Sequence, residues 1–335
     1  MLNALTRRAL VAAAALSFAA GCSGNSLTSG SSSSSLMPSG RQIGAVRILP
    51  GPAVSGAIIL PLVPRKLNAP LGWPKGKKKQ AILFVADYSG GVLMYNPSDA
   101  NSAPEGSITD GASSAFGVAV DKKGNLYVAN LGDSTVSVYA PGASSPNLTI
   151  STGLDEPYGI IVDSKRNVFV TNLGNNTVTA YAAGQTSPYE TINFNAYGQA
   201  VGIAVDSKDT VWVACDSSNG VFEIKAGSSG VTNSGLTSLV GPVGITIGQK
   251  DEIFVADFGG TDVTVYKSGS TSPFETITSG IVGPTQNGVT HAGMFFQTNQ
   301  DDNVVGYKKG QSSPFSTLTG ASSAAGIASW PLVKR

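Results

Sequence analysis

A unit of 42 to 44 residues repeats along most of this chain, and it limits the fold more than any other feature. Its clearest copy is AFGVAVDKKGNLYVANLGDSTVSVYAPGASSPNLTI at residues 115–150, and a close second copy occupies residues 157–192. Each copy contains short segments in which apolar and polar residues alternate, separated by turns rich in Gly, Asn, Asp and Ser. Such alternation indicates half-buried β-strands, and a period of this length is typical of arrays in which each repeat is one small sheet.

An alignment on the glycine of the first segment gives six units. The glycines are Gly117, Gly159, Gly202, Gly244, Gly288 and Gly326, separated by 42, 43, 42, 44 and 38 residues. Every unit supplies a first, second, third and outer strand. The chain starts with a second strand near residue 82 and ends with a first strand at Gly326, so we expect the last segment to complete the first blade.

This arrangement predicts an all-β fold, a six-bladed β-propeller over residues 81–330 with four-stranded blades and a C-terminal tail at 331–335. A C-terminal strand that joins the N-terminal blade closes the ring and removes its open edges. The segment Phe116–Asn130 nearly spells out the pattern of NHL repeats, which the units resemble. That resemblance implies that the chain is similar to the broad group of six-bladed propellers that includes gluconolactonase-like and streptogramin-lyase-like proteins.

The first 40 residues are typical of an exported chain. Residues 1–21 carry Arg7 and Arg8 before a short apolar run, as in a secretory signal peptide, and the run is too short to span a bilayer. It ends in Ala19-Ala20-Gly21-Cys22, which resembles the lipobox of bacterial lipoproteins and implies a lipid on Cys22. An ordinary cleaved signal with an incidental Cys is the alternative.

Two further segments precede the repeats. Residues 22–40 are rich in Ser and Gly and predict a flexible tether from a lipidated Cys22. Residues 41–80 are rich in proline, which excludes a long helix and predicts an irregular segment. We therefore expect a protein attached by a lipid anchor in the bacterial cell envelope, with the outer membrane or cell surface favoured.

Composition excludes several kinds of partner and site. Lys and Arg total 22 against 21 Asp and Glu, so the formal net charge of +1 gives no electrostatic basis for binding nucleic acid. The single histidine, His291, excludes a metal site built from several imidazoles. Two cysteines, Cys22 and Cys215, cannot form a disulfide framework. A monomer is expected.

One position recurs where each second strand ends, and the alignment predicts that it lies near the mouth of the axial channel. Its residues are Asp87, Asn130, Asn172, Cys215, Asp257 and Thr298. Their side chains either form hydrogen bonds within the local turns, or form a polar ring that binds a ligand or cation. Carboxylate and amide oxygens are the ligands that Ca²⁺ prefers, so Ca²⁺ or another divalent cation is the one cofactor that the sequence suggests.

The position that follows is mostly apolar. Its residues are Tyr88, Leu131, Leu173, Asp216, Phe258 and Asn299. These side chains either pack between blades or form an apolar rim at the channel mouth, where Tyr88 and Phe258 would contact a partner.

His291 and Cys215 depart from the repeat. The alignment places His291 in the apolar position that Val120 and Val162 hold in other units, so it is either a satisfied core residue or a lone general base. Cys215 is interpreted as a small residue at the end of a strand rather than a nucleophile.

The repeat is specific for the fold and leaves two classes of function open. The first is a non-enzymatic platform of the cell envelope that binds a protein or a glycan. The alternative is a metal-dependent lactonase- or streptogramin-lyase-like enzyme acting at the channel mouth. The resemblance implies particular His or Glu/Asn/Asp ligands for such enzymes, and none can be matched residue by residue, so no catalytic residue is predicted.

Overall fold

The computed structural model describes residues 81–100 and 102–333, which form strands, turns and two short 3₁₀ helices. The signal peptide, the tether and the proline-rich segment predicted for residues 1–80 lie outside the described residues. In chain order the strands are β1 (Ile82–Asp87), β2 (Gly91–Tyr95), β3 (Gly106–Ile108), β4 (Ala115–Val120), β5 (Leu126–Asn130), β6 (Thr135–Tyr139), β7 (Leu148–Ile150), β8 (Pro157–Val162), β9 (Val168–Asn172), β10 (Thr177–Tyr181), β11 (Glu190–Asn193), β12 (Ala200–Val205), β13 (Val211–Cys215), β14 (Gly220–Ile224), β15 (Val231–Asn233), β16 (Pro242–Ile247), β17 (Ile253–Asp257), β18 (Asp262–Tyr266), β19 (Glu275–Ile277), β20 (Pro284–Val289), β21 (Phe295–Asn299), β22 (Val304–Tyr307), β23 (Pro314–Leu318) and β24 (Ala324–Trp330). The 3₁₀ helices are Asp216–Ser218 and Gln249–Asp251.

These strands form six four-stranded antiparallel sheets arranged as the blades of a β-propeller, as the repeat predicts. Blade 1 has the order β24-β1-β2-β3, and blades 2 to 6 are formed by β4–β7, β8–β11, β12–β15, β16–β19 and β20–β23. The C-terminal strand therefore joins the N-terminal blade. Within this sheet Ile82 pairs with Trp330 and Asp87 pairs with Ala324, which closes the ring.

The register of blade 6 differs from the prediction. Pro284 pairs with Asn299 as Ala115 pairs with Asn130 in blade 2, so the position that holds Gly117 in blade 2 holds Gln286 here. Each first strand also begins two residues before the position that Gly117 holds in blade 2. A bulge follows the first residue of the strand. The alignment on Gly288 was wrong because this glycine lies two positions further along its strand than the others do.

The core lies between neighbouring blades. In one cluster Phe84 of blade 1 packs with Val118 and Leu126 of blade 2, and all three side chains are buried. Their alternation along each strand explains this packing, because successive residues of a strand face opposite neighbours. Burial of aliphatic and aromatic side chains between the sheets is the main source of stability in such a ring.

A buried tyrosine at the end of five third strands holds each blade to the one before it. Its hydroxyl donates a hydrogen bond to a carbonyl in the loop between the two blades, as Tyr139 does to Asp110 at 2.7 Å. The other pairs are Tyr95 with Thr319, Tyr181 with Thr152, Tyr266 with Thr237, and Tyr307 with Ser279. Blade 4 ends its third strand with Ile224 instead.

The ring has two ends, which we call the turn face and the acidic face. The turn face carries the turns between first and second strands, at residues 121–125, 163–167, 206–210, 248–252 and 290–294. Hydrogen bonds link these turns around the ring, among them Lys122 Nζ to the Ser164 carbonyl at 2.8 Å and Ser164 Oγ to Asp209 at 2.5 Å. The acidic face is the opposite end, where second strands connect to third strands and the chain leads into each first strand.

Candidate functional site

The last residue of each second strand lies at the acidic face, as the alignment predicts for five blades. These residues are Asp87, Asn130, Asn172, Cys215 and Asp257. In blade 6 the strand extends to Asn299, so Asn299 and not Thr298 occupies this position. Thr298 instead lies one residue earlier, where its hydroxyl accepts a hydrogen bond from the Gln286 amide at 2.9 Å across the bulge.

The side-chain amides at this position form hydrogen bonds within their own blades rather than pointing into open space. Asn130 is 1% exposed, and its Nδ2 donates to the Gly111 carbonyl at 3.0 Å and to Ser137 Oγ at 3.1 Å. Asn172, fully buried, makes the same contact with Thr179 Oγ1 at 3.1 Å. Each amide therefore ties the second strand to the third. Ligand binding by this set stays a prediction.

The two carboxylates at this position have different surroundings. Asp87 accepts hydrogen bonds from the Ser89 amide at 3.1 Å and the Ser322 amide at 2.9 Å, so it links the two ends of the chain within blade 1. Asp257 accepts a short bond from Thr264 Oγ1 at 2.7 Å. Burial raises the pKa of Asp257 to about 7, with the nearby Asp262 carboxylate raising it further and the Thr264 hydroxyl lowering it.

We expect Asp257→Asn to stabilise the protein at alkaline pH. The folded state keeps a proton on this carboxyl up to its pKa of about 7, whereas the unfolded chain loses it near 3.8. The folded state therefore binds more protons between these values, and stability falls as the pH rises through the interval. An amide has no charge to bury, so the variant should gain about 1–2 kcal/mol near pH 8 and nothing near pH 4, measured by urea unfolding.

Asp87→Asn is the matched control at the same position in blade 1. Each carboxylate oxygen of Asp87 accepts a hydrogen bond from a backbone amide, which can only donate, so an amide nitrogen would face a donor. The Thr264 hydroxyl beside Asp257 Oδ2 can instead accept from an amide nitrogen. We expect this variant to lose about 1–3 kcal/mol near pH 8. A loss of similar size in Asp257→Asn would contradict the argument from buried charge.

The residues that follow the second strands lie beside the segments that lead into the first strands. Tyr88 and Phe258 are half-buried, and each donates its backbone amide to the residue that precedes the first strand of its blade, Ser323 and Gly241 respectively. Leu131, by contrast, is 2% exposed and packs inside. In blade 6 this position holds Gln300, since Asn299 ends the strand. Contact with a partner through Tyr88 and Phe258 stays a prediction.

His291 lies in a turn and not in the apolar position of a first strand. Val289 pairs with Phe295 as Val120 pairs with Leu126, so Val289 holds the position assigned to His291 from the sequence. The imidazole Nδ1 of His291 forms a 2.6 Å hydrogen bond with the Leu332 carbonyl. His291 therefore links the last turn of the ring to the C-terminal tail.

Cys215 is the last residue of β13, as the sequence predicts. Its side chain is fully buried in a cluster with Phe222 and Val213, and it forms no disulfide. Burial, together with the nearby Asp216 carboxylate, raises the pKa of the Cys215 thiol to about 12. The thiol is thus protonated at neutral pH, which leaves little thiolate for nucleophilic chemistry.

Basic residues are confined to one end of the ring, whereas acidic residues occur at both ends. Every Lys and Arg of residues 81–100 and 102–333 lies in a first-to-second turn or a third-to-fourth loop: Lys122, Lys123, Lys165, Arg166, Lys208, Lys225, Lys250, Lys267, Lys308 and Lys309. The acidic face carries Asp133, Asp155, Glu156, Asp216, Asp262, Asp301 and Asp302, all at least partly exposed. Burial, together with the neighbouring Asp87 and Asp301 carboxylates, raises the pKa of Asp302. We missed this distribution of basic residues in the sequence, where sorting charges by loop type would have revealed it.

No group of three His, Cys, Asp or Glu side chains within residues 81–100 and 102–333 is arranged to hold a metal ion. Within that same part of the chain, no helix is long and apolar enough to cross a bilayer. Binding of Ca²⁺ or another divalent cation therefore stays a prediction.

Comparison with known proteins identifies the fold. No protein-family model matches the chain, and no curated protein matches it. A chain from the crystal structure of a nidogen/laminin complex matches with a TM-score of 0.61 and 14% identity, covering 76% of this chain and 100% of that one. A protein of unknown function from Bacteroides caccae matches with a TM-score of 0.56, 12% identity and the same coverage. A virginiamycin B lyase from Staphylococcus aureus reaches 0.48 at 13% identity, covering 70% of this chain and 87% of the lyase. Identities this low show the fold alone.

Proposed function

We propose that this chain is a lipid-anchored protein of the bacterial cell envelope whose propeller binds a basic partner protein through its acidic face, without catalysis. The observation that carries the proposal is that, among the described residues, the acidic face carries Asp and Glu side chains and no Lys or Arg. A surface with one sign of charge attracts a partner of the opposite sign and raises the rate of association. A basic protein fits this face better than a neutral glycan does.

Exposed apolar side chains on the same face support a protein partner. Val240 and Val282 are 52% and 54% exposed and lie two residues before the first strands of neighbouring blades 5 and 6. Half-buried Phe258 lies in the same region, because the Gly259 amide that follows it donates to the Val240 carbonyl at 3.0 Å. Protein interfaces typically combine exposed apolar side chains of this kind with a polar rim.

The path of the chain also supports this orientation. The described chain enters at Ala81 on the turn face, since β1 runs from that face to Asp87 at the acidic face. A lipid on Cys22 would therefore hold the propeller by its turn face and leave the acidic face accessible. The nidogen/laminin structure contains a propeller of this fold within a protein complex, which agrees with a binding role.

The enzymatic alternative was a metal-dependent lactonase- or streptogramin-lyase-like protein. Among the described residues we find no specific observation that favours it.

The partner proposal is tested by capture from envelope extracts with paired charge variants. The acidic-face variant is Asp133→Lys with Asp302→Lys, and the matched turn-face control is Lys123→Glu with Lys309→Glu. We expect a basic protein that binds the wild type and the control, dissociates at high salt, and binds the acidic-face variant at least about tenfold more weakly. Loss of capture only in the turn-face control, or equal capture by all forms, would overturn the proposal.

The anchor is tested in cells of the source bacterium or a related host. Wild-type protein should incorporate labelled palmitate and sediment with membranes, whereas Cys22→Ser should do neither. Wild-type protein without the label would show that Cys22 is not lipidated. The binding role would then be judged from the capture experiment, which does not depend on the anchor.

A further inference from the structure

The loop between the third and the fourth strand has nearly the same sequence in blades 3, 5 and 6. It starts at the tyrosine that ends the third strand and runs through a Pro to an aromatic residue, which is Tyr189 in blade 3, Phe274 in blade 5 and Phe315 in blade 6. The three loops align residue by residue without a gap. A difference between them therefore identifies what is special to one blade.

Two of these aromatic rings are covered by a lysine of their own loop. The Lys267 ammonium lies 5.0 Å from the centroid of the Phe274 ring, and the Lys308 ammonium lies 5.6 Å from the centroid of the Phe315 ring. Both lysines directly follow the tyrosine that ends the third strand. An ammonium group at this distance is attracted by the negative face of the ring. The repeat thus forms a cation–π pair at the edge of blades 5 and 6.

Blade 3 keeps the ring and lacks the cation. Ala182 occupies the position of the two lysines, and no Lys or Arg of residues 81–100 and 102–333 lies over the Tyr189 ring. The Tyr189 side chain is 55% exposed. Blade 2 also has an alanine here, Ala140, but its loop carries Asn147 in place of the aromatic residue. Among these four blades, blade 3 alone presents an aromatic ring without its cation.

Tyr189 lies at a pocket of about 150 Å³ between blades 3 and 4. Phe169 contributes a second, half-buried ring to the lining. On the opposite side, Ile224 and Gly227 belong to blade 4, whose third strand ends in isoleucine instead of tyrosine and whose loop has no Pro-aromatic pair. The pocket is therefore formed where blade 4 departs from the repeat. Its volume suits one compact group rather than an extended ligand.

The charges around the pocket favour a cation. Glu190 and Asp209 line it, against one basic lining residue, Lys225. Burial, together with the Asp163 and Glu190 carboxylates, raises the pKa of Tyr189, so the ring lies in the field of two negative charges. A site with an excess of carboxylates attracts positively charged ligands and repels anions.

We propose that this pocket binds a small organic cation, whose ammonium group lies over the Tyr189 ring as a lysine lies over the equivalent ring in blades 5 and 6. Aromatic rings grouped around a site are the means by which proteins recognise alkylated ammonium groups. Glu190 would supply the opposite charge. The pocket lies at the end of the ring opposite the acidic face, so the site does not depend on the proposed partner.

The probe for this site is choline, and the matched neutral compound is 3,3-dimethyl-1-butanol, which has nearly the same shape without the charge. Binding is followed by NMR through the methyl protons of the probe, whose signal shifts when they lie over an aromatic ring. We expect a saturable shift of the choline signal with the full-length wild type and none with the neutral alcohol. Tyr189→Leu should weaken choline binding about two- to fivefold, as expected for the loss of an exposed cation–π contact.

The sharpest variant is Ala182→Lys, which installs the lysine of blades 5 and 6. Its ammonium should cover the Tyr189 ring and weaken choline binding at least as much as Tyr189→Leu does. Ala140→Lys makes the same change in blade 2 and should leave choline binding unchanged. Lys225→Gln should tighten choline binding about twofold, because it removes a like charge from the pocket.

Four results would overturn the proposal. They are the absence of saturable choline binding to the wild type, equal binding of the neutral alcohol, unchanged binding in Ala182→Lys, and weaker binding in Lys225→Gln. A saturable shift with glucose and none with choline would assign the pocket to a sugar and would equally exclude the cation. If Tyr189→Leu does not fold, Ala182→Lys decides the matter, because the equivalent loops of blades 5 and 6 carry lysine at this position.

Discussion

A chain that ends at Thr319, and so lacks β24, is expected not to fold into a propeller. Without this strand blade 1 loses its innermost member, and the ladder edge of β1 is exposed. Ile327 and Trp330 are at most 8% exposed in the ring, and each contributes about 1.5–3 kcal/mol by burial. The lost packing on β1, β4 and β20 comes in addition, so the total is comparable with the whole stability of about 5–15 kcal/mol. Thermal unfolding followed by circular dichroism should show no cooperative transition.

The control for this truncation is a synthetic peptide of residues 320–333 added to the shortened chain. We expect it to restore a cooperative transition in proportion to its concentration. The same peptide with Gly326→Val should fail, because a Cβ at this position would lie 2.5 Å from the Phe116 carbonyl oxygen. A truncated chain that melts within a few degrees of the intact protein would show that ring closure contributes little.

Gly244→Ala should destabilise the protein by about 3 kcal/mol, lowering the Tm by roughly 6–12 °C. The first strands of blades 5 and 6 are so close that a Cβ here would lie 2.3 Å from the Thr285 carbonyl oxygen. Backbone of the next blade cannot withdraw without disturbing its own ladder. The clash therefore distorts the backbones of the two blades, because no side chain is placed to relieve it by moving.

Gly230→Ala provides the comparison, since the only atom near a Cβ there is Ser228 Oγ at 3.2 Å, on an exposed residue. Its Tm should stay within about 2 °C of the wild type. Equal effects of the two substitutions would mean that close approach of the blades is not what requires Gly244.

The sequence was sufficient for the architecture because each strand alternates and each turn carries Gly, Asn or Asp. It failed in blade 6 for a physical reason. Gln286 occupies the glycine position there, so alignment on Gly288 displaced the following residues and assigned His291 to the core. The pairing of Pro284 with Asn299 reveals the register of β20 against β21. The spacing of glycines along the sequence does not determine which residues of two strands pair.

The candidate site was harder to predict than the fold. Sequence placed Asp87, Asn130 and Asp257 at equivalent strand ends, but it could not show that each side chain turns into its own blade. That direction depends on the loops that cover the strand ends. The uncovered ring of Tyr189 was missed because the lysines that cover the equivalent rings are recognised only from contacts in the folded chain.

The closure of the ring has a mechanical consequence. Strand β1 begins where the chain enters the turn face, and it lies between β24 and β2, both antiparallel to it. A pull between an anchor upstream of Ala81 and a partner on the opposite end would act along β1. Hydrogen bonds on both of its sides would then be loaded in shear and would have to break together. The strand by which the described chain enters the propeller is therefore also the one best placed to resist extraction.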